Sequence, residues 1–157
     1  MNMLLNFTDG TPFSKGAADY NNVPGYELSE HMVLMVEVGD HPRKRMTEAV
    51  VYTGVPYLIC TRAMAKAVGI ALDKPEETGR VRVEGVWVEG GIHNVTLTLL
   101  ADEYKGESVP LPVWAFVPDR EEDFNPEHLP PMYLGLKGCL NSFLFAVDPF
   151  SQTFHFG

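Results

Sequence analysis

Val50-Val51-Tyr52-Thr53-Gly54-Val55-Pro56-Tyr57-Leu58-Ile59 is the stretch on which the reading of this chain turns. It closes an apolar run, Thr47 to Thr53, in which Ala49, Val50 and Val51 follow one another without alternation. Such a run predicts a strand buried on both faces. Thr53-Gly54 then offers a tight turn, and Tyr57-Leu58-Ile59-Cys60 reads as a short further strand. Thr61 to Gly69 has the marks of a short helix: Thr61 to cap its start, an Ala-rich interior, and Gly69 to take the left-handed stop.

Outward from this centre the pattern stays β-like. On the N-terminal side, Val33 to Val38 is a strand-like run stopped by Gly39-Asp40-His41-Pro42. Residues 1–31 are polar and broken by Gly10, Pro12, Gly16, Pro24 and Gly25, so they are expected to form a loosely structured arm lying on the domain or on a partner. On the C-terminal side, Arg80 to Val88 and Ile92 to Leu100 alternate around Glu89-Gly90-Gly91, which predicts a hairpin with a mobile glycine tip. Pro110 and Pro112 confine the next strand, Pro110 to Val117, to an edge or irregular position. An acidic loop over residues 118–131 leads to Met132-Tyr133-Leu134-Gly135. A helical turn near Leu136 to Ser142 and two terminal strands, Phe143 to Val147 and Thr153 to Phe156, complete the chain. The expected fold class is all-β, mainly β with two short helices, as one small closed domain over residues 32–157.

Composition narrows the function. The 157 residues hold 12 Lys+Arg against 21 Asp+Glu, a formal net charge of −9. Arg43-Lys44-Arg45 is the only basic cluster, so neither nucleic acid nor an anionic membrane is an expected partner. No apolar run approaches a membrane span, and Met1 to Phe7 lacks the basic n-region of a signal peptide, so the expected location is cytoplasmic. Cys60 and Cys139 are expected to be buried thiols. The five histidines show no metal-ligand spacing, and no metal or cofactor is expected.

Two elements in combination resemble the retropepsin-like aspartic proteases. Val50 to Ile59 is similar to that family's apolar–apolar–Asp-Thr-Gly-Ala loop and following strand. Met132 to Gly135, with Leu136 to Leu140 behind it, is similar to its apolar–apolar–Gly element and C-terminal helix. A hairpin lies between them, where the family has its flap. The resemblance covers residues 32–157. It implies a closed β-domain forming half of a two-fold dimer, with interleaved terminal strands to which Thr153 to Phe156 would belong. It also implies an extended-peptide cleft formed by Tyr52, Thr53, Gly54 and Val55, a second loop at Leu134 and Gly135, and flap residues Trp87, Glu89, Gly90 and Gly91.

The departure from the family lies at the catalytic position. Its chemistry needs two aspartates sharing one proton, one activating water while the other protonates the carbonyl oxygen. Here Tyr52 stands in that place, and a phenol that titrates near pH 10 is a donor rather than a base at neutral pH. The expected function is therefore a non-catalytic, homodimeric member of the family with a residual peptide cleft. One alternative is an active peptidase, in which residue 52 is natively acidic or another acid, such as Asp40, Glu48 or Asp148, substitutes. The other is a purely structural or interaction domain without a groove.

Overall fold

The computed structural model describes residues 6–12, 14–126 and 130–157. Apolar runs become strands wherever a partner can cover them. β2 (Val33–Val38) and β3 (Arg45–Val51) form an antiparallel pair, and β4 (Leu58–Cys60) precedes α1 (Arg62–Ala67). The Thr61 hydroxyl accepts from the Met64 amide at 3.2 Å, and Gly69 takes φ 82°, so both ends of the helix follow from sequence. β5 (Glu77–Val83) and the long β6 (Val86–Leu99) form the hairpin, and β7 (Val109–Pro118) runs antiparallel to β6. β8 (Met132–Leu134), β9 (Phe145–Asp148) and β10 (Thr153–Phe156) follow, and β1 is Gly16–Asp19.

The main sheet has the order β2-β3-β8-β4-β7-β6-β5. A further pairing of Val36 to Val38 with Leu97 to Leu99 joins β2 to β6 and closes a six-stranded barrel, leaving β5 as a free edge. The all-β class is thus observed. Burial on both faces is also observed in β3: Ala49 and Val51 join one core cluster, while Val50 joins the other. The same split divides Leu58 and Cys60 from Ile59, and Met132 and Leu134 from Tyr133. Pro110 and Pro112 lie in the half of β7 paired only to β6. Trp114, of the same parity, sends its amide away from β6 to the Gly138 carbonyl, so the proline nitrogens face the unpaired side as well.

Three expectations need correction. The hairpin does not turn at Glu89-Gly90-Gly91. These residues lie within β6, paired to Arg80, Gly79 and Thr78, and the turn is Glu84-Gly85, with φ 51° and 84°. Two successive positive φ values mark a type I′ turn. The glycines serve proximity instead. A Cβ on Gly90 would overlap the Val117 carbonyl oxygen and lie 2.7 Å from Phe116 Cζ, and one on Gly91 would lie 2.9 Å from Pro75 Cβ.

Secondly, the arm over residues 1–31 is not loose along its described length. β1 pairs with β10, Ala17, Tyr20 and Val23 are buried, and Lys105 Nζ holds Asp19 Oδ1 at 2.6 Å. Asn21 clasps Val33 in both directions, donating its amide to the Val33 carbonyl and accepting the Val33 amide on Oδ1. Thirdly, β10 is not an exposed edge awaiting a partner subunit. It is the middle strand of a three-stranded sheet, β1-β10-β9, with Phe154 and Phe156 fully buried.

Candidate functional site

The two motifs singled out in the sequence meet. β8 inserts between β3 and β4, parallel to the first and antiparallel to the second, so the 52–57 connection arches over the end of β8. The Tyr52 amide donates to the Leu134 carbonyl at 2.9 Å, Gly135 to Tyr57 at 2.8 Å, Leu136 to Val55 at 2.8 Å, and Tyr57 to Lys137 at 2.6 Å. Gly135 is required by this contact, because a Cβ there would overlap the Tyr57 carbonyl oxygen. Tyr57 itself has φ 64°, a left-handed conformation that is a genuine outlier for an aromatic residue. Thr53 and Gly54 are exposed at the tip, while Val55 is buried.

Aromatic rings occupy the ground beside this loop. The half-buried Tyr52 ring lies across Gly54 and stacks on Tyr133, with centroids 5.2 Å apart and planes within 8°. His31 also stacks on Tyr52, with centroids 6.4 Å apart, and Phe124 meets Tyr133 edge-on at 4.9 Å. Tyr133 hydroxyl donates to Glu84 Oε1 at 3.4 Å, tying the hairpin tip to the stack. Burial first, then the neighbouring Glu84 charge, pushes the Tyr133 phenol up to about 12. It remains a neutral donor at any physiological pH.

Sequence reasoning missed three members of this cluster, His31, Glu84 and Phe124. Glu84 had a signal: Val81, Val83, Val86 and Val88 are placed symmetrically about Glu84-Gly85. His31 and Phe124 had none, because their contacts cross the fold. Trp87, expected among the flap residues, stays out of the core and lines a cavity with Arg80, Glu89, Asp119 and Arg120. It is half exposed and packed under arginines, with Arg80 at 4.5 Å and Arg82 at 5.9 Å from its ring. Glu89 shares its face, whereas Gly90 and Gly91 are buried.

The candidate replacement acids lie elsewhere. Asp40 is in the β2–β3 turn, at the end of β3 opposite Tyr52, and Glu48 is paired to Met35 within the same strand. Asp148 caps the β9–β10 turn, where Ser151 holds its carboxyl below the usual range. Both thiols are buried and unpaired, and burial pushes each up to about 12. Among the described residues no group of His, Cys, Asp and Glu is arranged to hold a metal, and no helix is long and apolar enough to cross a membrane. Comparison with protein-family models, with curated proteins and with solved structures finds no match for this chain.

Proposed function

We propose that this chain is a non-catalytic, retropepsin-like domain that binds extended peptide in the groove between the 52–57 loop and the β5–β6 hairpin, as one half of a two-fold homodimer. The observation that carries the reading is the junction of the two motifs, with the Tyr52 amide on the Leu134 carbonyl and a phenol in the position of the family's carboxylate. Carboxylate-dyad chemistry needs two acids in contact. Among the described residues the carboxylate that bonds the ring cluster is Glu84, engaged by the Tyr133 hydroxyl, while Asp123 nearby is held by Arg120. The free edge of β5, with a cavity at each end of it, supports peptide binding by strand addition. With β10 satisfied within its own chain, the second subunit is assigned to the exposed Thr53-Gly54 tip.

Incubation with denatured protein from acid to neutral pH should release no fragments, and pepstatin-sensitive cleavage would overturn the non-catalytic reading. Peptide binding is tested by anisotropy with a pool of labelled extended peptides of mixed charge, where a flat titration removes the groove. Light scattering should give twice 17.5 kDa, and the single-chain mass at micromolar concentration removes the dimer. The Tyr52–Tyr133–Phe124 rings favour a second reading, a structural domain whose cleft is filled by its own side chains. The flat titration would select it.

A further inference from the structure

We infer that the peptide taken by this domain is basic, and that it docks as an added strand on the free edge of β5 with a lysine or arginine side chain in the cavity at the hairpin tip. The inference rests on the peptide-binding reading above and adds to it the place and the charge of the ligand. β5 is hydrogen-bonded on one side only, to β6, and Glu77, Thr78, Gly79 and Arg80 are all exposed. Half of the amide and carbonyl groups of such a strand point outward, ready for another chain.

Alternation sets the chemistry of its two faces. Val81 and Val83 face the cluster that contains Val55, Ile59 and Tyr133, and Glu77 lines a cavity with Ile92 of the same cluster. Arg80 and Arg82 point the other way, over Trp87. The underside of the hairpin therefore runs from Glu77 at its base to Val83 and Glu84 at its tip, with a cavity at each end. The base cavity, about 400 Å³, is lined by Tyr57, Trp114, Glu77 and Lys137 among others. Gly138 separates the two rings, since a Cβ there would lie 3.1 Å from Tyr57 Cδ1 and 3.2 Å from Trp114 Cδ1. The tip cavity, about 380 Å³, is lined by Glu84, Glu122, Asp123, Phe124 and Tyr133, with no basic side chain among the described residues.

A cavity lined by carboxylates suits an ammonium or guanidinium group, which gains charge-assisted hydrogen bonds there. Arg120 is drawn to Asp123 at 2.9 Å and to Glu122 at 3.9 Å, yet it does not line the cavity, and among the described residues the partner of Glu84 is the neutral Tyr133 hydroxyl. The net charge of −9 adds a long-range pull on a cationic segment. Glu77 to Val83 spans roughly 20 Å at a strand's rise per residue, so an extended segment of about seven residues reaches both cavities.

The test uses the full chain with two capped peptides of roughly nine residues, long enough to cover the edge. One alternates valine with lysine and the other valine with glutamate. By anisotropy the lysine peptide should bind about tenfold more tightly, a preference that shrinks in about 0.5 M salt. The exposed pair Glu84→Gln and Glu122→Gln should weaken it about fivefold, whereas Arg82→Gln on the opposite face should not. Hydrogen exchange should slow across residues 77–83 on binding. Protection elsewhere with 77–83 unchanged, or tighter binding of the glutamate peptide, overturns the inference. Equal binding of the two peptides removes this inference and leaves the peptide reading standing. Binding of neither removes both.

Discussion

Gly90 stands where β6 crosses the end of β7, and any side chain there meets the Val117 carbonyl, a backbone atom that cannot swing aside. Gly135 meets the Tyr57 carbonyl in the same way. Gly79, in the same hairpin as Gly90, has only Ile92 Cδ1 at 3.9 Å from its ideal Cβ. Gly90→Ala and Gly135→Ala should each lose about 2–4 kcal/mol in urea unfolding, because overpacking against backbone forces strands apart. Gly79→Ala should be neutral or stabilise by a few tenths, through reduced freedom of the unfolded chain. Equal effects at Gly79 and Gly90 would mean that neither is explained by close approach. At Tyr52 the cost is of another kind. Tyr52→Ala removes a stacked ring pair, and a loss of about 1–3 kcal/mol is expected from the contact and the apolar area.

Among the elements, the β5–β6 hairpin carries the sharpest expectation. Residues 89–91 are paired on the β5 side, and Gly90 and Gly91 are also paired to Pro118 and Val117 of β7, whereas Glu84-Gly85 is the turn. Amide exchange should therefore be slow at Gly91 and fast at Gly85. The reverse order would restore the glycine tip that the sequence suggested. β1 is the second such element. It covers one side of β10, and the Lys105–Asp19 pair and the Asn21–Val33 clasp hold it there. Removing residues 1–22 would bare the β10 edge and the Phe156 ring, so the truncated chain should aggregate or unfold at lower urea. Unchanged stability would show that β1 is a passive cover.

For the molecule as a whole, pH is the informative variable. His93 and His155 are 5% and 3% exposed, and among the described residues His93 Nε2 and His155 Nδ1 have no hydrogen-bond partner. Burial lowers both from the ordinary 6.5, against the opposing pull of Glu76 on His93 and of Asp148 on His155. The unfolded chain then binds more protons than the folded one from 6.5 downward, until the folded-state values are passed. Stability is thus greatest above 6.5 and falls as the solution is acidified through that window. The Asp148 contribution lies lower, present above 3.8 and lost as pH falls below it. Urea midpoints at pH 7.5 and pH 5 should differ in that sense, and His155→Gln should reduce the difference. A midpoint that rises on acidification would contradict the burial of both rings.

What the sequence by itself determined is local. The run at 33–38, the doubly buried run at 47–53, the short run at 57–60, the capped helix after Thr61 and the prolines of β7 each follow from neighbouring residues, and the structure has them with strand bounds of 33–38, 45–51 and 58–60. The stretches around Tyr52 and around Leu134-Gly135 each stood out in the sequence, but their contact, the Tyr52 amide on the Leu134 carbonyl, is visible only in the fold. The tertiary structure alone decided the use of each glycine. A Gly that turns the chain and a Gly that admits a neighbouring backbone look alike until the neighbour is placed, and Gly90 and Gly91 proved to be of the second kind. It also decided the partners of edge strands and rings. β10 is covered by a strand more than a hundred residues earlier, and Tyr52 stacks with His31 and Tyr133, contacts that no local period encodes. Strand pairing and ring stacking are bargains between distant segments, settled only when the barrel closes.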